Sequence, residues 1–166
     1  MMVDGKRIGE SDEGARLGNV AEMLKGNKIH QVEDMPVYRA FFDLAVEVEK
    51  LTRDCKPDFR WLRGQTLRAS ESVCANMVEG FYSQYSTEYL QALYRSRREA
   101  QETLTHLRYA VSVKQLQESL GVAIVGRYGE ALKQLANLIG SIERKISQRG
   151  KGKAKPDSSS HSSSIH

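Results

Sequence analysis

The chain has 166 residues, a formal net charge of +4, and a composition that is 40% hydrophobic and 28% charged. That size suits one domain with tails, and no apolar run reaches the ~20 residues needed to cross a bilayer. Two cysteines, Cys55 and Cys74, are too few for a disulfide framework or a four-cysteine zinc site.

Residues 1–14 are charged and lack the apolar stretch of a secretory signal, so the expectation is a cytoplasmic protein. Glycines scattered among charges over residues 1–34 predict a flexible N-terminal arm, with one weak helical turn near Val20 to Leu24. Asp34 and Pro36 then read as the cap and first residue of a helix.

Four segments with helical periodicity follow. The first carries Val37, Ala40, Phe41, Leu44, Ala45, Val48 and Leu51 on one stripe, and the stretch around Pro57 breaks it. The second carries Phe59, Leu62, Thr66, Ala69, Val73, Asn76 and Gly80. Its small residues allow close helix approach, Gly64 weakens it, and Gly80 reads as its stop. The third starts with Ser86 as a cap and Glu88 in the first turn. Its face is Leu90, Leu93, Arg97, Ala100, Leu104, Leu107 and Val111, and Gly121 ends the linker after it. The fourth is a heptad-like row of Val125, Tyr128, Leu132, Leu135, Ile139, Ile142 and Ile146.

No segment reads as a strand. Long helices joined by short connections predict an all-α, antiparallel, up-down-up-down four-helix bundle over residues 35–149. Residues 150–166, with Lys151, Lys153 and Lys155 followed by a Ser/His-rich run, predict a disordered basic tail.

Chemistry-bearing patterns are sparse. A dinuclear metal site in such a bundle needs Glu-x-x-His pairs on two helices. Only His106 falls in the bundle, with Glu102 four positions before it, so a surface pair is expected and no metal or cofactor. No nucleophile motif or phosphate-binding loop is present. The expectation is a protein that is not an enzyme.

Two features carry more. Asn76 and Glu79, at i and i+3 on a small apolar face, predict a capping or interhelical hydrogen-bond role, or a role in assembly. Arg60, Arg63 and Arg68 on the second helix, with Arg95, Arg98 and Arg108 on the third, predict phosphate contacts. Tyr82, Tyr85, Tyr89 and Tyr94 offer stacking surfaces nearby. Ordinary pairing with Glu71, Glu99 or Glu102 is the competing reading of the arginines. Trp61 and the tyrosines also suit a protein interface, and Arg97 at a core-type position suggests a seam with a second subunit.

The segment QTLRASESVCANMVEG at residues 65–80 resembles the central motif of the four-helix-bundle family of 23S rRNA intervening-sequence proteins, roughly Q-L-R-R-A-A-x-S-I-x-x-N-I-A-E-G. Ser86 with Glu88 and Tyr89 resembles that family's start to helix three, and Glu102 stands where helix three usually carries Glu. The resemblance spans about residues 32–147. Thr66 and Leu67 replace a usual Leu-Arg pair, and Arg98 and Glu99 replace Gly-Ser. It implies a homo-oligomer, commonly a pentamer, without enzymatic activity. The fold is shared with accessory variability determinant proteins of diversity-generating retroelements, which implies RNA or DNA and a reverse transcriptase as partners. A protein-binding scaffold without nucleic-acid affinity is the alternative.

Overall fold

The computed structural model describes residues 29–151, and the arm before Ile29, the turn expected near Val20, and the tail beyond Lys151 lie outside them. Four helices make up the bundle: α1 Pro36–Leu51, α2 Arg60–Phe81, α3 Ser86–Ser112 and α4 Glu118–Lys151. Among the described residues there is no strand, and no helix is long and apolar enough to cross a membrane. Each helix packs on the next, and α1 also packs on α4, so the four close into the expected all-α bundle.

The expected stripes form most of the core. Phe41, Leu44 and Val48 of α1 meet Leu62, Val73 and Met77 of α2, Leu93, Leu104 and Leu107 of α3, and Tyr128, Leu135 and Ile142 of α4. Phe41 and Tyr128 pack ring to ring at 5.9 Å between centroids. The Tyr128 hydroxyl is buried. Thr103 lies near it but gives its own hydrogen to the Glu99 carbonyl at 2.9 Å. Cys74 is a free, buried thiol, and burial pushes its pKa up to about 12.

The closest seam is α2 against α3. It is built from Ala69, Ser70, Ala92, Ser96, Ala100 and Thr103, all buried. The hydroxyls are satisfied on backbone carbonyls: Ser96 Oγ donates across the seam to Val73 at 3.0 Å, and Ser70 Oγ donates to Leu67 at 3.0 Å. Such bonds let small polar residues sit in a core at little cost. This corrects the expected third stripe. Arg97 is exposed, with its guanidinium 5.1 Å from the Tyr94 ring centroid, and Ser96 takes the inward position.

Several boundaries also differ. Asp34 does not cap α1: Met35 is the N-cap, and Pro36 is the first helical residue. The Asp34 carboxylate stands one residue too early and accepts instead from the amides of His30 at 2.9 Å and Gln31 at 3.1 Å. Ser86 is buried as the first residue of α3, with Tyr85 as the cap. Gly80 lies inside α2, whose last residue is Phe81. Gly121 lies inside the first turns of α4, where a Cβ would stand 2.1 Å from Val111 Cγ2. Both glycines are there for close packing and not as helix breaks.

Polar clasps span the four seams. Arg63 reaches Glu49 of α1 at 3.2 Å, Arg68 reaches Glu102 of α3 at 3.5 Å, Tyr94 of α3 donates to Glu143 of α4, and Arg127 of α4 pairs with Glu47 of α1. At the end opposite the α2–α3 turn, Gln115 ties two connections together: its Oε1 accepts from the Lys56 amide at 3.1 Å and its Nε2 donates to Val113.

Candidate nucleic-acid interface

The six arginines expected to meet phosphate divide into two groups. Three are committed to partners within the bundle. Arg63 faces α1 through Glu49. Arg68 faces α3, held by Gln65 and Glu102. Arg95 Nε donates to Asn76 Oδ1 at 3.0 Å, and its Nη2 to Glu79 Oε1 at 3.2 Å. The arginines of α2 therefore point toward two different neighbours and do not form one cationic face.

Arg60, Arg98 and Arg108 are exposed. Arg60 and Arg108 each precede an exposed aromatic residue, Trp61 and Tyr109, which are 55% and 44% exposed. These two rings approach across the α2–α3 seam with centroids 6.1 Å apart at an interplanar angle of 48°. Because α2 and α3 run antiparallel, the start of one lies beside the end of the other. The result is an exposed aromatic pair with one arginine next to it in sequence on each helix of the hairpin.

The aromatic cluster expected around the α2–α3 turn does not assemble as a stacking surface. Tyr89 is fully buried, its hydroxyl donating to Met35 Sδ at 3.6 Å, and burial pushes its pKa upward. Tyr94 is bound to Glu143. Tyr82 projects, edge-on to Phe81 at 5.1 Å, and Tyr85 is half-buried.

The Asn76, Glu79 and Gly80 element has a structural geometry. Asn76 Nδ2 donates back to the Ser72 carbonyl at 2.8 Å while its Oδ1 accepts from Arg95, so one amide locks α2 to α3. Glu79 completes the bridge, and Gly80 lets the Tyr89 and Ala92 turn of α3 come close. Beyond them an open cleft of about 600 Å³ is lined by Glu79, Ser83, Thr87, Glu88, Gln91 and Arg95.

The family model of the 23S rRNA-intervening sequence protein matches residues 33–137, which includes this whole Asn76–Arg95 junction. The chain belongs to that family. A search of curated proteins returns no match. In this family member, His106 Nε2 lies 3.5 Å from Glu102 Oε1, and Glu102 is shared with Arg68. Among the described residues no group of three or more His, Cys, Asp or Glu side chains is placed to hold a metal ion.

Tyr109 was not singled out by the sequence reading. The signal that would have found it is the repeat of an Arg-aromatic pair, Arg60-Trp61 and Arg108-Tyr109, on helices that an antiparallel hairpin brings end to end.

Proposed function

We propose that this intervening-sequence family protein is a non-enzymatic, cytoplasmic, self-associating bundle that binds RNA or DNA. The observation that carries the reading is the exposed Trp61–Tyr109 pair, with the exposed Arg60 and Arg108 next to it in sequence. Flat rings accept unstacked bases whatever their identity, and adjacent guanidiniums neutralise the phosphates between them. Arg98 extends the cationic surface along α3, about 15 Å from Arg108 at helical rise, and the lysines at 151, 153 and 155 add charge near the end of α4. Nothing in the hairpin presents an ordered row of side chains to base edges, so contacts are to backbone and ring faces with little sequence preference.

The family resemblance adds two finer readings. One is assembly as a homo-oligomer, a pentamer by analogy. The other is service as an accessory to a reverse transcriptase of a diversity-generating retroelement; co-purification with such an enzyme encoded nearby tests that branch.

The chain has a single tryptophan, so its emission reports on the site directly. Titration with single-stranded oligonucleotides is expected to quench Trp61 fluorescence, and Tyr109→Ala with Arg108→Ala is expected to weaken binding at least about tenfold, since each stacked base is worth about 1–3 kcal/mol. Unchanged emission at low salt would remove the reading.

The alternative, a protein-binding scaffold without nucleic-acid affinity, is favoured by one surface. Leu120 and Val122 at the start of α4 are 43% and 67% exposed, and Val122 lines an open groove with Val111 and Val125. If this is the assembly face, Val122→Asp lowers the mass measured by light scattering while the helical content is kept.

A further inference from the structure

The end of α3 has two outer faces. On its α2 side stands the Trp61–Tyr109 ring pair. One residue before Tyr109, about 100° around the helix, Arg108 lines an open groove on the α4 side. Val111 and Ser112 of α3 and Val122, Val125 and Gly126 of α4 line it too, and its volume is about 520 Å³, a size that suits a small organic ligand.

The lining is amphipathic. Three valines supply apolar walls, and among the lining residues there is one cation and no acid. Ser112 Oγ gives its hydrogen to the Arg108 carbonyl at 3.0 Å, so what it offers the groove is an acceptor. These groups complement a flat, mostly apolar body that carries an N–H donor and is joined to an anion. They do not complement themselves. Two copies paired groove to groove would bring their Arg108 side chains together, and like charges set face to face oppose association.

Gly126 is an independent observation. Glycine weakens a helix interior relative to alanine. Gly121 has a packing reason in Val111, but a Cβ on Gly126 would meet nothing within 4 Å. Contacts within the chain do not require this glycine, and its bare backbone leaves the floor of the groove open to close approach by a ligand.

We propose that the groove holds one nucleotide of the single strand whose other bases meet Trp61 and Tyr109, with its base against Val122 and Val125 over Gly126 and its phosphate on Arg108. This site presupposes the single-strand binding proposed above. A helix is about 10 Å across and stacked nucleotides advance about 3.4 Å along a strand. About three nucleotides therefore carry the strand over α3 from the ring pair to the groove.

The test uses the full chain and a labelled oligothymidylate of about eight nucleotides, followed by anisotropy and by Trp61 quenching. Gly126→Leu fills the groove from a position with open space, and a thermal melt checks that the fold is kept. It is expected to weaken binding at least about tenfold, while saturating oligonucleotide still quenches Trp61. In wild-type protein, 4-thiothymine is placed at each position of the strand in turn and irradiated. At least one position is expected to give an adduct on residues 115–127, a tryptic peptide that holds Val122, Val125 and Gly126 but neither ring of the pair. Undiminished affinity of Gly126→Leu, or adducts confined to the peptides of Trp61 and Tyr109, would overturn the groove site and leave the ring pair standing. Undiminished affinity with a lower mass by light scattering would give the groove to a second copy instead. Absence of binding and quenching in wild-type protein at low salt would overturn both sites together.

Discussion

A Cβ on Gly80 would stand 2.4 Å from Ala92 Cβ and 3.1 Å from the Tyr89 ring, whereas one on Gly64 would meet nothing within 4 Å. The two glycines of α2 are therefore opposite cases of one substitution. Gly80→Ala overpacks the tightest seam and is expected to destabilise the fold by about 2 kcal/mol. Gly64→Ala removes a flexible residue from an exposed helix interior and is expected to stabilise by about 1 kcal/mol. Urea denaturation of both variants checks the pair. Tyr128→Phe belongs at the same scale. Its hydroxyl is buried beside Thr103, so removing it is expected to change stability by no more than about 1 kcal/mol in the same assay. From sequence, Gly64 was read as lying inside a helix, where the structure has it. Gly80 was read as a stop, because a glycine near a helix end looks the same whether it terminates the helix or admits a neighbour. Only the position of Ala92 and Tyr89 on α3 distinguishes the two.

The helices themselves were legible because their apolar spacing is strong: Phe41, Leu44 and Val48, or Leu135, Ile139 and Ile142, are core residues by both readings. The inward face of α3 was harder, since Ser96 and Thr103 look polar until their hydroxyls are seen on the Val73 and Glu99 carbonyls. Helix entry was also harder. Asp34 sits one residue away from capping α1, and its carboxylate is instead held below the ordinary range, chiefly by the backbone amide of His30 and then that of Gln31. A carboxyl depressed in the folded state adds stability above its unfolded pKa and loses it as pH falls through the folded value. Asp34→Asn is therefore expected to lower the melting temperature slightly at neutral pH, and the difference from wild type is expected to vanish on acidification through and below the carboxylate range. Thermal melts across a pH series read this directly.

At the scale of the molecule, four seams are each crossed by a polar clasp, and most are at least partly solvated. Exposed pairs of this kind contribute at most about 1 kcal/mol each, so apolar burial holds the bundle while the clasps match each helix to its neighbours. The same clasps explain why the cationic surface was only partly legible. A sequence shows where arginines are but not which carboxylates of other helices reach them, and Glu49, Glu79 and Glu102 occupy Arg63, Arg95 and Arg68. What remains is Arg60 and Arg108, next in sequence to the Trp61–Tyr109 pair, with Arg98 further along α3, and binding there has a defined electrostatic consequence. Each phosphate neutralised on a single strand releases about 0.7 of a counterion. The most direct measurement is fluorescence anisotropy of a labelled single-stranded oligonucleotide with wild-type protein and with the Arg60→Ala, Arg108→Ala double variant, each across a salt series. The account predicts wild-type affinity that falls steeply with salt, and a double variant that binds more weakly with a log–log slope shallower by about 1.5. Equal slopes and affinities for the two proteins, or no binding at low salt, would contradict it.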